Sequence, residues 1–401
     1  MNSHCLLFLI MLAFKCLTLF KCFYMIGKYL YYHTKWAVYG MVNQKFNILS
    51  ALGIILVVGG HSGVGFLPWF PPYSFHMPLF IFISGYFFSS PPPPLTSFLC
   101  KKSKKLLLPF LSWNAFYGIL ITLLTTFGLS QLSHAPLSLK SLLWDPFTGG
   151  WPFVFNGPAW FVGCLFLVQC LYQVIYRLCR GNVRYIGVLC LACYFISLGL
   201  TFHDWTHWFY DAGRAIERML FCIIFYYLGH IYRLYGERYD SFSIYKLILL
   251  SLTNGCILAF ISSRITYNVH QMAFPNEKIL LPLIVSITGI WFYLQIAELL
   301  KSHIRSNDLL SYIGRHTFSI MMHHQFFFWG FNTALLGLKY SGILSLNTFD
   351  MNKYMHEIYF RISAYPPIND VLYLMAGLLG PVLCYYIYER FICKKDISIR
   401  L

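Results

Sequence analysis

Apolar runs follow one another along this chain with few interruptions. After residue 44 they fall at roughly 46–58, 75–88, 106–127, 160–176, 185–200, 219–235, 247–262, 279–299, 313–331 and 371–388. Most approach the roughly 20 residues that an α-helix needs to cross hydrocarbon. They predict an all-α, polytopic integral membrane protein with about ten transmembrane helices. The first two runs are short, and their flanks HSGVGFL and LPWFPPYS are apolar enough to extend them or to form a re-entrant turn. Four prolines at 91–94 end the second run, since proline lacks the backbone donor and clashes with the preceding turn. Pro109 fits a third helix if it lies in the first turn. There is no internal repeat and no glycine-rich nucleotide loop.

Residues 1–42 break the pattern. LLFLIMLAF gives way to Lys15, Lys21, Lys28 and Lys35, spaced six or seven apart and so near one helix face. That suits an amphipathic helix in the interface or an extra tilted span. The basic residues follow the apolar run instead of preceding it, unlike a signal peptide. Met41, ahead of VNQKFNIL, is a second candidate start.

Composition strengthens the membrane reading. The 401 residues are 58% hydrophobic and only 11% charged, whereas soluble domains carry about 25% charged residues. The net charge of +16 would suit a nucleic-acid protein, but the basic residues sit at the ends of apolar runs, as the positive-inside effect requires. With Lys45 on the cytoplasmic side, 18 basic residues fall inside and 8 outside, the latter being Lys140, Arg214, Arg218, Arg264, Lys278, Lys339, Lys353 and Arg361. Both ends of the ten-span unit, 43–390, are then cytoplasmic, followed by a short basic tail at 391–401. The longest outward loops, about 129–157 and 332–370, are too short and aromatic to fold alone; the first should dip into the membrane interface. Thirteen cysteines lie mostly inside apolar runs without a CxxC pair backed by histidine, so neither a metal site nor a disulfide framework is indicated.

Candidate chemistry starts at VVGGHSGVGF, where His61 stands among Gly59, Gly60 and Gly63 near the outward end of the first span. An imidazole there either caps a helix end or serves as a general base in a cavity that the glycines open. His76, at the outward start of the second span, faces it across a short connection and either binds a sugar, tunes the first imidazole or is a plain interfacial cap. Lys101, Lys102, Lys104 and Lys105 suit the phosphates of coenzyme A, or equally anchor the topology on anionic lipid. In HDWTHWFYDAGRAIERML, Asp211, Arg214, Glu217 and Arg218 are spaced to share one helical face, as an acceptor site or a surface ion-pair strip. Trp144, Trp151 and Trp160 can stack on a sugar ring or serve as interface anchors. His323 and His324 end a helix on the same side. Ser84 and Gly85 read as helix-packing residues.

VVGGHSG followed by FHMPLFIFISGYFF resembles the opening of the membrane-bound acyltransferase 3 family, and KKSKKLLLPF, GPAWFVGCLFLVQ and YIGRHTFSIMMHH continue the resemblance in family order over roughly 43–390. FHMPLF and the paired basic residues look most like the branch that O-acetylates sugars, including fucose O-acetylases. The resemblance implies that His61 is the family's essential histidine. It further implies transfer of an acyl group, acetyl in the first instance, from cytoplasmic acetyl-CoA to a hydroxyl of an outward-facing or lipid-linked glycan, in a bacterial inner membrane. His61 would act as base or itself be acylated, with no resident cofactor or metal. Where many members carry an acidic residue and an Arg or Lys, this chain has Asn47 and Ser50, with Lys45 an available substitute. The alternatives are a transporter or flippase for a lipid-linked glycan, and a scaffold without activity.

Overall fold

The computed structural model describes residues 43–129, 132–148, 151–203, 210–262, 264–274, 278–343, 349–357, 360–362, 366–392 and 399. The helix expected within 1–42 and the basic tail after 392, residue 399 apart, lie outside the described residues.

The first helix, α1 (Gln44–Ser62), begins where the Asn43 side chain accepts the Phe46 N–H and ends at Gly63, whose φ of +88° is left-handed. Glycine takes that conformation without a Cβ penalty. Then come α2 (His76–Tyr86), α3 (Leu95–Thr125), α4 (Val154–Leu178), α5 (Val183–Phe202), α6 (Tyr210–Ile231), α7 (Ile244–Ile261) and α8 (Leu281–Leu300). The chain continues through α9 (Leu309–Arg315), α10 (Thr317–Tyr340), α11 (Met351–His356) and α12 (Pro366–Ile387). The fold is all-α and polytopic.

Among the described residues, eight helices are long and apolar enough to cross a membrane. The other two expected runs are also helical but differ in kind. With 11 residues, α2 extends about 16 Å and does not reach across hydrocarbon on its own. With 24 residues α10 is long enough, but His323, His324, Gln325 and Asn332 dilute its apolar character. Pro109 lies in the first turn of the α-helical segment Leu108–Thr125, as expected, and a π-helical turn at Ser103–Leu107 joins that segment to the helix that starts at Leu95.

At the centre, α1 packs against α2, α8, α9, α10 and α12. Phe46, Ile48, Leu49, Ala51 and Val58 are correspondingly buried. At the periphery, α7 exposes Leu249, Leu252 and Phe260, as a lipid-facing helix does. In the segment 129–157, Leu132, Phe153 and Phe155 share a core with Tyr117 of α3 and Phe326 and Trp329 of α10, whereas Leu139, Leu143 and Trp144 are exposed.

The long helices alternate in direction, which gives the molecule two poles. One gathers the start of α1, the turn after α6 and the short α9, linked through Asn43 to Glu237 (3.0 Å) and Gln44 to Ser311 (2.7 Å). The other gathers the end of α1, the starts of α2 and α4, and Trp151, His270 and Arg361 from the connecting segments.

Candidate active site

His61 sits in the last turn of α1, at the second pole. Two glycines before it let rings close on the helix: a Cβ at Gly59 would lie 2.3 Å from the Phe66 ring, and one at Gly60 would lie 3.2 Å from Tyr73. Tyr73 stands edge-on to His61, with ring centroids 6.2 Å apart, and His76 follows at 5.0 Å from Tyr73. The short connection that puts Tyr73 there is held by prolines at 71 and 72. The His76 Nδ1–H donates to the Pro72 carbonyl, which fixes the ring at the head of α2 and leaves Nε2 as its acceptor nitrogen. From α10 the His324 ring comes within 5.3 Å of His61. Arg361, from the 341–365 connection, donates to the backbone carbonyl of His61.

These groups line a cavity of about 700 Å³. Ser50, Ile54, Val57 and His61 form its wall on α1, and their spacing of three and four residues is one helix face. Eleven residues of helix are about 16 Å, so the cavity follows α1 from mid-bundle to its end. His76, Met77, Phe80, Ile83 and Ser84 form the facing wall on α2, and Thr317, Phe318, Met321 and Gln325 contribute from α10. At the His61 pole the lining becomes aromatic and polar, with Trp151, Trp160, Asn268 and His270. An imidazole on such a wall can exchange a proton with a hydroxyl on one side while an elongated ligand reaches it from the other.

The residues singled out from sequence distribute unevenly around this space. His61, His76 and Trp160 line it. Lys101, Lys104 and Lys105 are exposed, and Lys102 is half-buried with its ammonium 5.7 Å from the Phe98 ring. None of the four is on the lining, but Leu106, which directly follows them, is. The face expected from Asp211 to Arg218 is not on the lining either, as far as described. The Asp211 side chain lies outside the described residues. Arg214 pairs with the fully buried Glu217 at 3.2 Å. Arg218, also buried, lies behind Trp160 with its guanidinium 5.4 Å from the ring. It donates to the carbonyls of His270 (2.8 Å) and Thr148 (3.2 Å).

Of the two departures from the family pattern, Asn47 ties α1 to α9 by donating to the Ser311 carbonyl at 3.0 Å. Ser50 returns its hydroxyl to the Phe46 carbonyl at 2.7 Å and leaves an uncharged cavity wall. Lys45 is off the lining, buried against Asp240 (2.9 Å) and Glu298 (3.2 Å).

Sequence reasoning passed over Arg361, Tyr73, His270 and Gln325. Arg361 counted only as one outward charge, and nothing local marks it, since its partner is 300 positions away. Tyr73 carried a signal: it is the one hydroxyl-bearing ring between the two histidines 61 and 76.

No curated protein and no solved structure matches the chain. A family model described as an acyltransferase domain matches residues 43–389, which takes in α1 through α12 and every residue described above as lining the cavity. The chain therefore belongs to the membrane-bound acyltransferase 3 family, with the acyltransferase type of reaction and multi-pass membrane location that membership carries.

Proposed function

We propose that the protein transfers an acyl group, acetyl in the simplest case, from acyl-CoA to a hydroxyl of a cell-surface or lipid-linked glycan. It places this chain in the sugar O-acetylating branch and in a bacterial inner membrane. The Lys45 pole faces the cytoplasm, in keeping with the excess of basic residues there. One observation carries the reading: a single cavity touches Ser50, Ser84 and Thr317 deep in the bundle and reaches His61 where its lining turns aromatic.

In the proposed step His61 removes the proton from the acceptor hydroxyl as its oxygen attacks the thioester carbonyl carbon. The C–S bond then breaks, and the coenzyme A thiolate leaves with the proton from the His61 imidazolium. Ester and free thiol are the products, so atoms and charge balance. Arg361, on the cavity wall beside His61, supplies a positive charge near the developing oxyanion. Ile54, Val57, Phe80 and Phe161 give the acyl–pantetheine arm a water-poor path. The exposed lysines before Leu106 meet the coenzyme A phosphates where the arm enters.

Purified protein in detergent, given labelled acetyl-CoA and a glycan acceptor, should transfer label, and His61→Ala should not. Movement of the glycan across vesicles without any labelled transfer would replace this reading by transport. Label trapped on the protein without acceptor, and absent from His61→Ala, would replace direct transfer by an acyl-histidine route.

A further inference from the structure

The His61 pole of the cavity carries an arrangement that acyl transfer from a thioester does not itself require. Three rings meet there, with Trp160 and His270 5.1 Å apart and Trp151 and His270 5.9 Å apart, centroid to centroid. All three line the cavity, together with the side chains of Asn268 and Gln271.

The arrangement is built rigidly. Asn268 and Ala273 exchange backbone hydrogen bonds of 2.8 and 2.9 Å, closing the turn that presents His270. Arg218 braces it from behind, with bonds to the His270 and Thr148 carbonyls and its guanidinium against Trp160. The buried cation thereby fixes α4, the turn and the 129–157 segment against one another. Gly157 admits the Trp151 ring, since a Cβ there would lie 3.2 Å from it. The Tyr267 N–H donates to the Tyr73 carbonyl at 3.0 Å, which couples the turn to the ring next to His61.

Aromatic faces carry partial negative charge and attract the polarised C–H groups on the flat face of a pyranose. Amides and an imidazole at the edge of those faces offer both donors and acceptors to ring hydroxyls. A pocket of apolar faces with a few placed polar groups fixes a ligand's orientation. Trp151, Trp160, Asn268, His270 and Gln271 bring no fixed charge, and the Arg361 guanidinium on the same lining is held at the His61 carbonyl, which suits a neutral sugar over an acidic one at the rings. We infer that Trp151, Trp160 and His270 form a stacking subsite for one neutral pyranose ring, with Asn268 and Gln271 gripping its hydroxyls. Its role as the acceptor site rests on the acyl-transfer reading. Sugar binding does not, and the subsite selects which hydroxyl is turned toward His61.

The test uses full-length protein in detergent and methyl glycosides of glucose, galactose, mannose and fucose as probes, with magnetisation transfer from protein to sugar protons as the readout. At least one glycoside should bind, and Trp151→Ala should weaken it by about tenfold, the worth of one ring stack. Asn268→Ala and Gln271→Ala, which remove no ring, should weaken the same sugar several-fold and cover the case in which the tryptophan variant does not fold. Trp144→Ala, exposed and off the lining, should bind as the parent does. No binding of any glycoside, or binding untouched by the Trp151, Asn268 and Gln271 variants, overturns the subsite. Labelled transfer is measured in parallel. Sugar binding lost in the variants without acyl transfer in the parent upholds the subsite and sinks the acyl-transfer reading. Transfer with binding indifferent to the variants does the reverse.

Discussion

His324 and His61 stand with ring centroids 5.3 Å apart, and His324 is fully buried with Nδ1 on the Ile320 carbonyl at 3.0 Å and, among the described residues, no hydrogen-bond partner at Nε2. A nitrogen beside a carbonyl oxygen must carry the proton, so Nε2 is the bare acceptor of a neutral ring. Leaving that atom unsatisfied costs free energy, and proximity to His61 gives it a use. It can accept a proton or hydrogen bond when His61 changes protonation state. His324→Phe keeps the bulk and removes the acceptor. Acyl transfer measured with labelled acetyl-CoA should fall by about 10²-fold or more, within the range for one acid–base group, with the KM for the donor little changed. A His324→Phe enzyme turning over at the parent rate would remove His324 from the mechanism.

Ile54 tests whether the cavity is the route of the donor. It faces the space midway along α1, between Ser50 and His61, and is itself 1% exposed. Ile54→Trp places a large ring in a void, so folding is retained and the melting temperature in detergent should hold or rise. Acyl transfer should drop by at least about tenfold, since displacement by about 1 Å costs a reacting group up to 10²-fold. Unchanged transfer in a folded Ile54→Trp protein would place the donor elsewhere.

How much of this was legible in the sequence depends on the range of the interaction. Periodicity found a helix for every expected run after residue 44, because a helical run is a local property. It placed Pro109 in a first α-helical turn but did not show the π-helical turn and the further helix upstream through the lysines. The glycine-flanked His61 was legible because intramembrane polarity is costly wherever it occurs. Arg361 was not, and His324, expected to end a helix, lies instead in the first half of α10, because their contacts are 300 and 263 positions along the chain from residue 61. The Asp211–Arg218 spacing brings Arg214 to Glu217 as a helical face does, and Arg218 reaches backbone carbonyls behind Trp160, contacts across the fold that spacing alone does not carry.

Gly85 of α2 and Gly229 of α6 set how closely those helices approach. A Cβ at Gly85 would lie 2.0 Å from the Tyr226 carbonyl oxygen, and one at Gly229 would lie 2.0 Å from that of Phe82. Both obstacles are backbone, so no rotamer change relieves them, and small residues at membrane helix interfaces serve this approach. Either Gly85→Ala or Gly229→Ala should destabilise by about 1–3 kcal/mol, the cost of overpacking. Because α2 carries His76 and the facing cavity wall, transfer should fall as well. Thermal unfolding in detergent checks the first effect; a melting temperature equal to the parent's would contradict the packing.

Lys45 and Asp240 bring charge to the opposite pole, where their side chains are 5% and 7% exposed and 2.9 Å apart. Tyr232 (2.6 Å) and Gln295 (2.6 Å) also donate to the Asp240 carboxylate, and Glu298 lies 3.2 Å from the lysine. Lys45→Ala removes a charge-assisted hydrogen bond but leaves Asp240 with Tyr232, Gln295 and Lys246 (3.5 Å) and Glu298 with Lys301 (2.5 Å), so it should cost about 1.5–3 kcal/mol. Burial pushes the Asp240 carboxyl up, but hydrogen bonds from Tyr232 and Lys45 and the charges of Lys45 and Lys246 outweigh it and hold the group below its ordinary 3.8. A depressed carboxyl binds its proton more weakly in the folded state than in the unfolded one. Its contribution is therefore complete above the ordinary value and is lost as pH falls from there through the folded value. Melting temperature followed from neutral pH down through about 4 and below should decline in the parent, and the part due to this carboxyl should vanish in Asp240→Asn. Superimposable acid limbs for the two proteins would show that Asp240 titrates alike folded and unfolded, and that Lys45 does not hold α1 through it.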